Sequence, residues 1–200
     1  METKERLLTA ARQCLLRNGY AGTTVRDLVA ESGANLASIN YHFGSKEALL
    51  NKALFLLNSE WGEVLFGAVA HDSSTLDTTA PHPAADAEAR WQAIIDLICR
   101  HRSLWFVNFE TIVLSQHNEA IRAGLAAHGE AARVVLARTF GNLKEGQASE
   151  AEIHAVGSHY YSQLVGAAFQ WLTDPGSAPT AAELAATRPA RIPAIQSDLC

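Results

Sequence analysis

TTVRDLVAESGANLASINYHFGSKEALL, residues 23 to 50, sets two very short apolar-periodic segments before the start of a longer one. Thr24 and Asp27 stand in capping-box spacing, Val25, Leu28 and Val29 recur at helical intervals, and Gly33 follows as a stop. Asn35 is placed to cap the second segment, whose Leu36, Ile39 and Phe43 are expected to turn inward, and Ser45 caps the third. Helices of about two turns are unstable alone, because nucleation is costly and they bury little surface. Some geometric demand has to justify them.

A helix-turn-helix supplies that demand. Its first short helix crosses the DNA backbone, a tight turn near a Gly aims the second, and the second lies in the major groove. With Leu36, Ile39 and Phe43 directed at the core, rotation by about 100° per residue leaves Ala37, Ser38, Asn40 and Tyr41 facing outward. Ser38 and Asn40 offer short hydrogen-bonding groups, Ala37 a surface for a thymine methyl, and Tyr41 a ring with a hydroxyl. Tyr41 and His42 end the second helix with donors. Ser45 and Lys46 open the next, where free backbone N–H groups and the helix dipole favour an anion. Thr24 and Arg26 are placed to hold phosphate on the other side of the groove. Taken singly, Tyr41 and His42 also suit packing between helices, and Lys46 and Arg26 also suit a solvated surface. It is their occurrence together in one window that points to DNA.

Outward from this window the chain reads as all-α, since apolar residues recur at three and four rather than two. A first helix is expected from Lys4 to Asn18, with Thr3 as cap, Gly19 as stop, and Leu7, Leu8, Ala11, Cys14 and Leu15 inward. The helix opened by Ser45 runs to about Ala70. The segment His71 to Glu88, rich in Ser, Thr, Asp, Ala and Pro, reads as a loop. Helices then resume at roughly 87–101, 104–116, 119–143, 150–173 and from 181, with starts marked by Asn118, by Ser149 with Glu152 and by Thr180 with Glu183. The tail RPARIPAIQSDLC is expected to be extended.

The net charge of −5 argues at first against a nucleic-acid partner. It hides an asymmetry: residues 1–52 carry seven Lys and Arg against five Asp and Glu, so a head of +2 sits on a body of −7. Hydrophobic residues make up 48% of the chain, and no apolar run approaches the ~18 residues of a membrane span. The N-terminus lacks the apolar core of a secretory signal, so a cytoplasmic protein without a membrane role is expected. Cys14, Cys99 and Cys200 are too scattered for a disulfide framework or thiolate metal site; Cys14 and Cys99 read as small buried hydrophobes. No metal and no cofactor are expected. The histidines form no HExxH pattern, and there is no GxSxG, P-loop or dinucleotide fingerprint, so the chain does not read as an enzyme.

LLTAARQCLLRNGYAGTTVRDLVAESGANLASINYHFGSKEALL, which begins at Leu7, resembles the N-terminal DNA-binding domain of the tetracycline-repressor (TetR) family. The resemblance covers about residues 4–52. Its most specific parts are the Gly-aromatic and Thr-Thr-Val-Arg pattern and the INYHFGSKEALL signature. It implies an all-helical homodimer, with a helix-turn-helix domain over 1–52 and an effector-binding and dimerisation body over 53–200. It further implies phosphate contacts at Thr24, Arg26, Tyr41, His42 and Lys46, with base or groove contacts from Asn35, Ala37, Ser38 and Asn40. The pair Asn35-Leu36 departs from the Ser or Thr and the basic or small residue of many members.

In similar proteins the last two long helices form the dimer interface and the middle helices surround a ligand. Here the small and apolar residues Gly157, Tyr161, Leu164, Gly166 and Phe169 suit self-association. Trp91, Ile95, Trp105, Phe106, Phe109, Val113, Phe140 and Tyr160, with Glu110 and His117 as polar readers, suit a small apolar or aromatic effector. Any one of these is also ordinary core material. The expected partners are thus an operator in double-stranded DNA, a small-molecule effector and a second copy of the chain. The expected function is a ligand-responsive repressor, with an activator carrying the same head as the alternative.

Overall fold

The computed structural model describes residues 2–70, 83–141, 143, 146 and 148–187. Among these the regular structure is helical throughout, as expected. The order is α1 (Thr3–Gly22), α2 (Val25–Ser32), α3 (Leu36–Phe43), α4 (Lys46–Ala70), α5 (Pro83–Arg100), α6 (Arg102–Ser115), α7 (Glu119–Gly141), α8 (Glu150–Thr173) and α9 (Ala181–Ala186). They form two compact units. One comprises Met1–Glu63 with His101–His128, the other Val64–Arg100 with the described residues from Gly129 on. The unit that holds residues 1–52 therefore also takes in the first part of α4, all of α6 and the start of α7.

The first unit is built on one apolar cluster. Leu7, Ala11, Cys14 and Leu15 of α1, Leu28 of α2, Ile39 of α3, Leu49, Leu50, Ala53, Leu54 and Leu57 of α4 and Val107 of α6 are all buried in it. Each fully buried Leu or Ile contributes about 1.5–3 kcal/mol relative to exposure. Burial raises the Cys14 thiol above its ordinary pKa, with the Arg17 guanidinium pulling the other way. Three local expectations need correction. The cap of α1 is Glu2, whose N–H donates to Glu5 Oε2 at 3.2 Å, so that Thr3 is the first helical residue. Gly19 breaks α1 with φ 70°, as a stop should, yet a further helical turn carries the chain to Gly22. Leu36, expected inside, is 50% exposed: it occupies the first turn of α3, where the described residues leave half of it uncovered.

In the second unit α5 packs against α8 and α9. The fully buried Trp91 stacks on Phe140 at 4.9 Å between ring centroids, and Phe140 stacks on Tyr160 at 5.2 Å. Tyr160 Oη donates to the Phe140 carbonyl at 3.3 Å. Ser149 and Thr180 form reciprocal boxes with Glu152 and Glu183 at the starts of α8 and α9. Helix α5 begins at Pro83, five residues before the expected loop was to end at Glu88. Proline's fixed φ and missing N–H suit the first turn of a helix, which composition alone hides. Residues 71–82 and the tail from 188 lie outside the described residues. Cys99 is exposed rather than buried.

Candidate nucleic-acid interface

The loop and caps around α2 and α3 follow from a few side chains. Thr24 Oγ1 accepts the Asp27 N–H at 3.3 Å while Asp27 Oδ2 accepts the Thr24 N–H at 2.9 Å, which closes the capping box at the start of α2. These hydrogen bonds hold the Asp27 carboxyl below the usual range. Gly33 ends α2 in the left-handed region at φ 64°, where a residue with a Cβ is strained. Two residues later Asn35 Oδ1 accepts both the backbone N–H of Ser38 at 2.9 Å and its hydroxyl at 3.0 Å. Asn35 thus caps α3, and the Ser38 hydroxyl is left with lone pairs to offer as an acceptor.

Helix α3 buries Ile39 and presents Ala37, Asn40 and Tyr41 to solvent, with Ser38 half-buried. Tyr41 is 85% exposed and stands edge-on to His42 at 4.9 Å. An exposed tyrosine at the end of a helix is not a core residue, so packing does not account for it. The sequence reasoning missed Leu36, which adds an apolar group to the same exposed surface at the start of α3. The misfit of Leu36 with the family's usual residue types was the signal that could have found it.

The next cap is Ser45, whose Oγ accepts the Ala48 N–H at 3.0 Å. Lys46 Nζ donates to the Thr23 carbonyl at 3.3 Å and lies 3.7 Å from Glu47 Oε1. It therefore ties the start of α4 to the α1–α2 connection, and an ammonium has further donors to give. Arg26 is exposed at the first turn of α2.

The remaining candidates fall in several places. Trp91, Phe140 and Tyr160 form the stack already described, and Ile95 is buried in the same unit. In the first unit Trp105 stands edge-on to Trp61 at 5.6 Å and lies 6.0 Å from the Phe109 ring. Phe106 and Val113 are 52% and 62% exposed, and His117 is exposed. Glu110 accepts the backbone N–H groups of Tyr20 at 2.7 Å and Ala21 at 3.0 Å. On α8, Gly157 and Leu164 are buried, and Tyr161 lies 5.3 Å from the Arg133 guanidinium. Gly166 has open space around it, and Phe169 is 57% exposed.

Residues 7–53 match the family profile of bacterial regulatory proteins of the tetR family. The head thus carries a likeness to that family. The tetR-type head is 33% identical over 63 residues to the HTH-type transcriptional regulator QacR of Staphylococcus aureus. It is 39% identical over 49 residues to the HTH-type transcriptional repressor AcnR of Corynebacterium efficiens. These matches cover 32% and 24% of this chain and span 34% of QacR and 26% of AcnR, so the chain matches about a third or less of each relative's length.

Solved structures extend the fold over the body. A TetR transcription regulator from Haloarcula marismortui is similar with a TM-score of 0.64 and 20% identity, over 91% of this chain and 90% of that one. The multidrug binding protein EbrR, complexed with imidazole, gives 0.65 and 20% over 96% and 98%. The same protein complexed with proflavin gives 0.63 and 20% over 92% and 98%. At these identities the likeness concerns the fold.

Proposed function

We propose that the chain is a DNA-binding transcriptional regulator that binds a twofold operator as a homodimer and is released by a small apolar or aromatic effector. The observation that carries this reading is the exposed Ala37, Asn40 and Tyr41 face of a two-turn helix, set between capped helix starts whose N–H groups suit phosphate. Thr24, Arg26, Tyr41, His42 and Lys46 hold the backbone in this reading, and Asn35, Ala37, Ser38 and Asn40 face the bases. Residues 1–52 read DNA and 53–200 carry control and assembly, in the cytoplasm. Among the described residues no helix is long and apolar enough to cross a membrane.

Self-association through α8 is supported by the open surface at Gly166 and the exposed Phe169 ring. The exposed Phe106 and Val113 are available to an effector, and the complexes of EbrR with imidazole and proflavin lend support from a protein of the same fold. Control is a population shift. A compound that binds better when the heads are misplaced weakens DNA binding by the same coupling free energy, typically about 1–3 kcal/mol. Helix α4, which starts at Lys46 in one compact unit and ends in the other, is the connecting element.

Selection of the purified protein against a random duplex library, beside a Tyr41→Ala/Lys46→Ala variant, tests this function. A palindromic consensus that the variant fails to enrich is the expected result. No enrichment, or enrichment indifferent to the two substitutions, overturns it.

A further inference from the structure

A cavity of about 240 Å³ lies within the first compact unit, between α4 and the α6–α7 segment. None of the aromatic residues that the sequence offers as effector contacts lines it. Its apolar walls include Leu54, Phe55, Ile121 and Leu125. Its volume is below the roughly 300 Å³ at which pockets for drug-sized ligands begin, which limits an occupant to one or two rings.

Two polar features narrow the chemistry. Asn58 lines the cavity, and its Oδ1 is buried with no hydrogen-bond partner among the described residues. A buried carbonyl left unpaired costs about 1–3 kcal/mol, and an occupant with an N–H or O–H removes that cost. His128, also in the lining, is already committed. Its Nδ1 lies 2.8 Å from the Gly124 carbonyl, which can only accept, so Nδ1 carries the proton; in the neutral ring Nε2 then accepts the Ser59 hydroxyl at 3.3 Å. His128 therefore offers ring surface rather than a free acceptor, and it lies 5.5 Å from the Phe55 ring. The Lys52 ammonium, 5.6 Å from the same Phe55 ring, disfavours a cationic occupant.

We infer that this cavity is a binding site for a small neutral aromatic molecule bearing a hydrogen-bond donor, which pairs with Asn58 Oδ1 between apolar walls. The occupant also meets Asn51, whose Oδ1 accepts the Tyr20 hydroxyl at 2.8 Å, so the site shares a residue with the packing of α1 on α4. Any consequence for DNA rests on the function proposed above; the binding itself does not.

The test is calorimetric titration of the full chain with indole and with indene, its ring isostere without the N–H. Saturable indole binding at one site per chain is expected, with indene roughly tenfold or more weaker. Gly124 sits 3.8 Å from the Phe55 ring when given a Cβ, so Gly124→Leu fills the cavity from a helix without a backbone clash and should abolish binding. Asn58→Leu should bring indole and indene to similar affinities, and circular dichroism verifies that each variant is folded. Absent saturable indole binding, equal affinity for the two compounds in the wild type, or binding that survives a folded Gly124→Leu variant each overturns the site. Adding indole to the operator complex is a separate arm, and its failure alone counts against control of DNA binding while leaving the site intact.

Discussion

The Glu110 carboxylate accepts the backbone N–H of Tyr20 at 2.7 Å, joining α6 to the turn of α1 that follows the Gly19 break. Its second oxygen takes the Ala21 N–H at 3.0 Å. The break frees these N–H groups, and the carboxylate satisfies two of them at once, as an anion does at a helix N-terminus. Burial, followed by the fields of Glu47 and Glu110, also raises the Tyr20 phenol above its ordinary pKa.

Glu110→Ala leaves both donors without the carboxylate and is expected to lower stability by about 1–3 kcal/mol in urea unfolding. Glu110→Gln, which retains one acceptor oxygen, should lose less. Equal stability of wild type and both variants would mean that water replaces the carboxylate at no cost.

Gly157 allows α8 to approach α7 closely. A Cβ there would lie 2.7 Å from the carbonyl carbon of Arg133, a backbone atom with no freedom to swing away. Gly157→Ala should therefore destabilise the protein by about 1–3 kcal/mol despite alanine's better helix propensity, whereas Gly166→Ala, with nothing near its Cβ, should be neutral or slightly stabilising in the monomer. Thermal melts of the two variants check the contrast.

Acid should weaken the helix starts together. Asp27, Glu152 and Glu183 all have carboxyls held below their ordinary pKa, chiefly by hydrogen bonds from Thr24, Ser149 and Thr180. A depressed folded pKa contributes stability that is present above the unfolded value and is lost as pH falls through the folded one. The contribution should hold from neutral pH down to about pH 5 and decline below about pH 4. Asp27→Asn should remove that residue's share of the slope in a pH series of melting temperatures. Thr24→Ala should cost about 1 kcal/mol at neutral pH.

If Arg26 neutralises a phosphate, Arg26→Ala should weaken binding to operator and unrelated DNA alike and reduce the slope of log affinity against log salt by about one per head. Asn40→Ala should instead reduce the preference for operator while leaving that slope nearly unchanged. Fluorescence anisotropy at several salt concentrations separates the two effects.

How far the sequence could be read depended on the range of the forces involved. The boxes at Thr24, Ser149 and Thr180 were legible because both partners of each lie within three residues, and the Gly33 turn was legible because its demand for a positive φ is local. Leu7, Leu28 and Ile39 followed from helical periodicity. Leu36 was misread because periodicity assigns a face but cannot say whether another helix covers it at that end. The Glu110 carboxylate was offered as a ligand reader because nothing near it in sequence reveals an amide partner ninety positions away. The Asn58 cavity was invisible for a similar reason. It depends on α4 and α7 meeting imperfectly, which no spacing records.

The first compact unit is discontinuous in sequence, since its core draws Val107 from α6 and its framework runs on to His128. During synthesis the N-terminal helices therefore emerge well before the segment that completes their packing, a delay of several seconds at roughly 5–20 residues per second. A ribosome halted after α4 should hold a chain whose three leading helices are protease-sensitive. Protection should arrive only once α6 has cleared the exit tunnel.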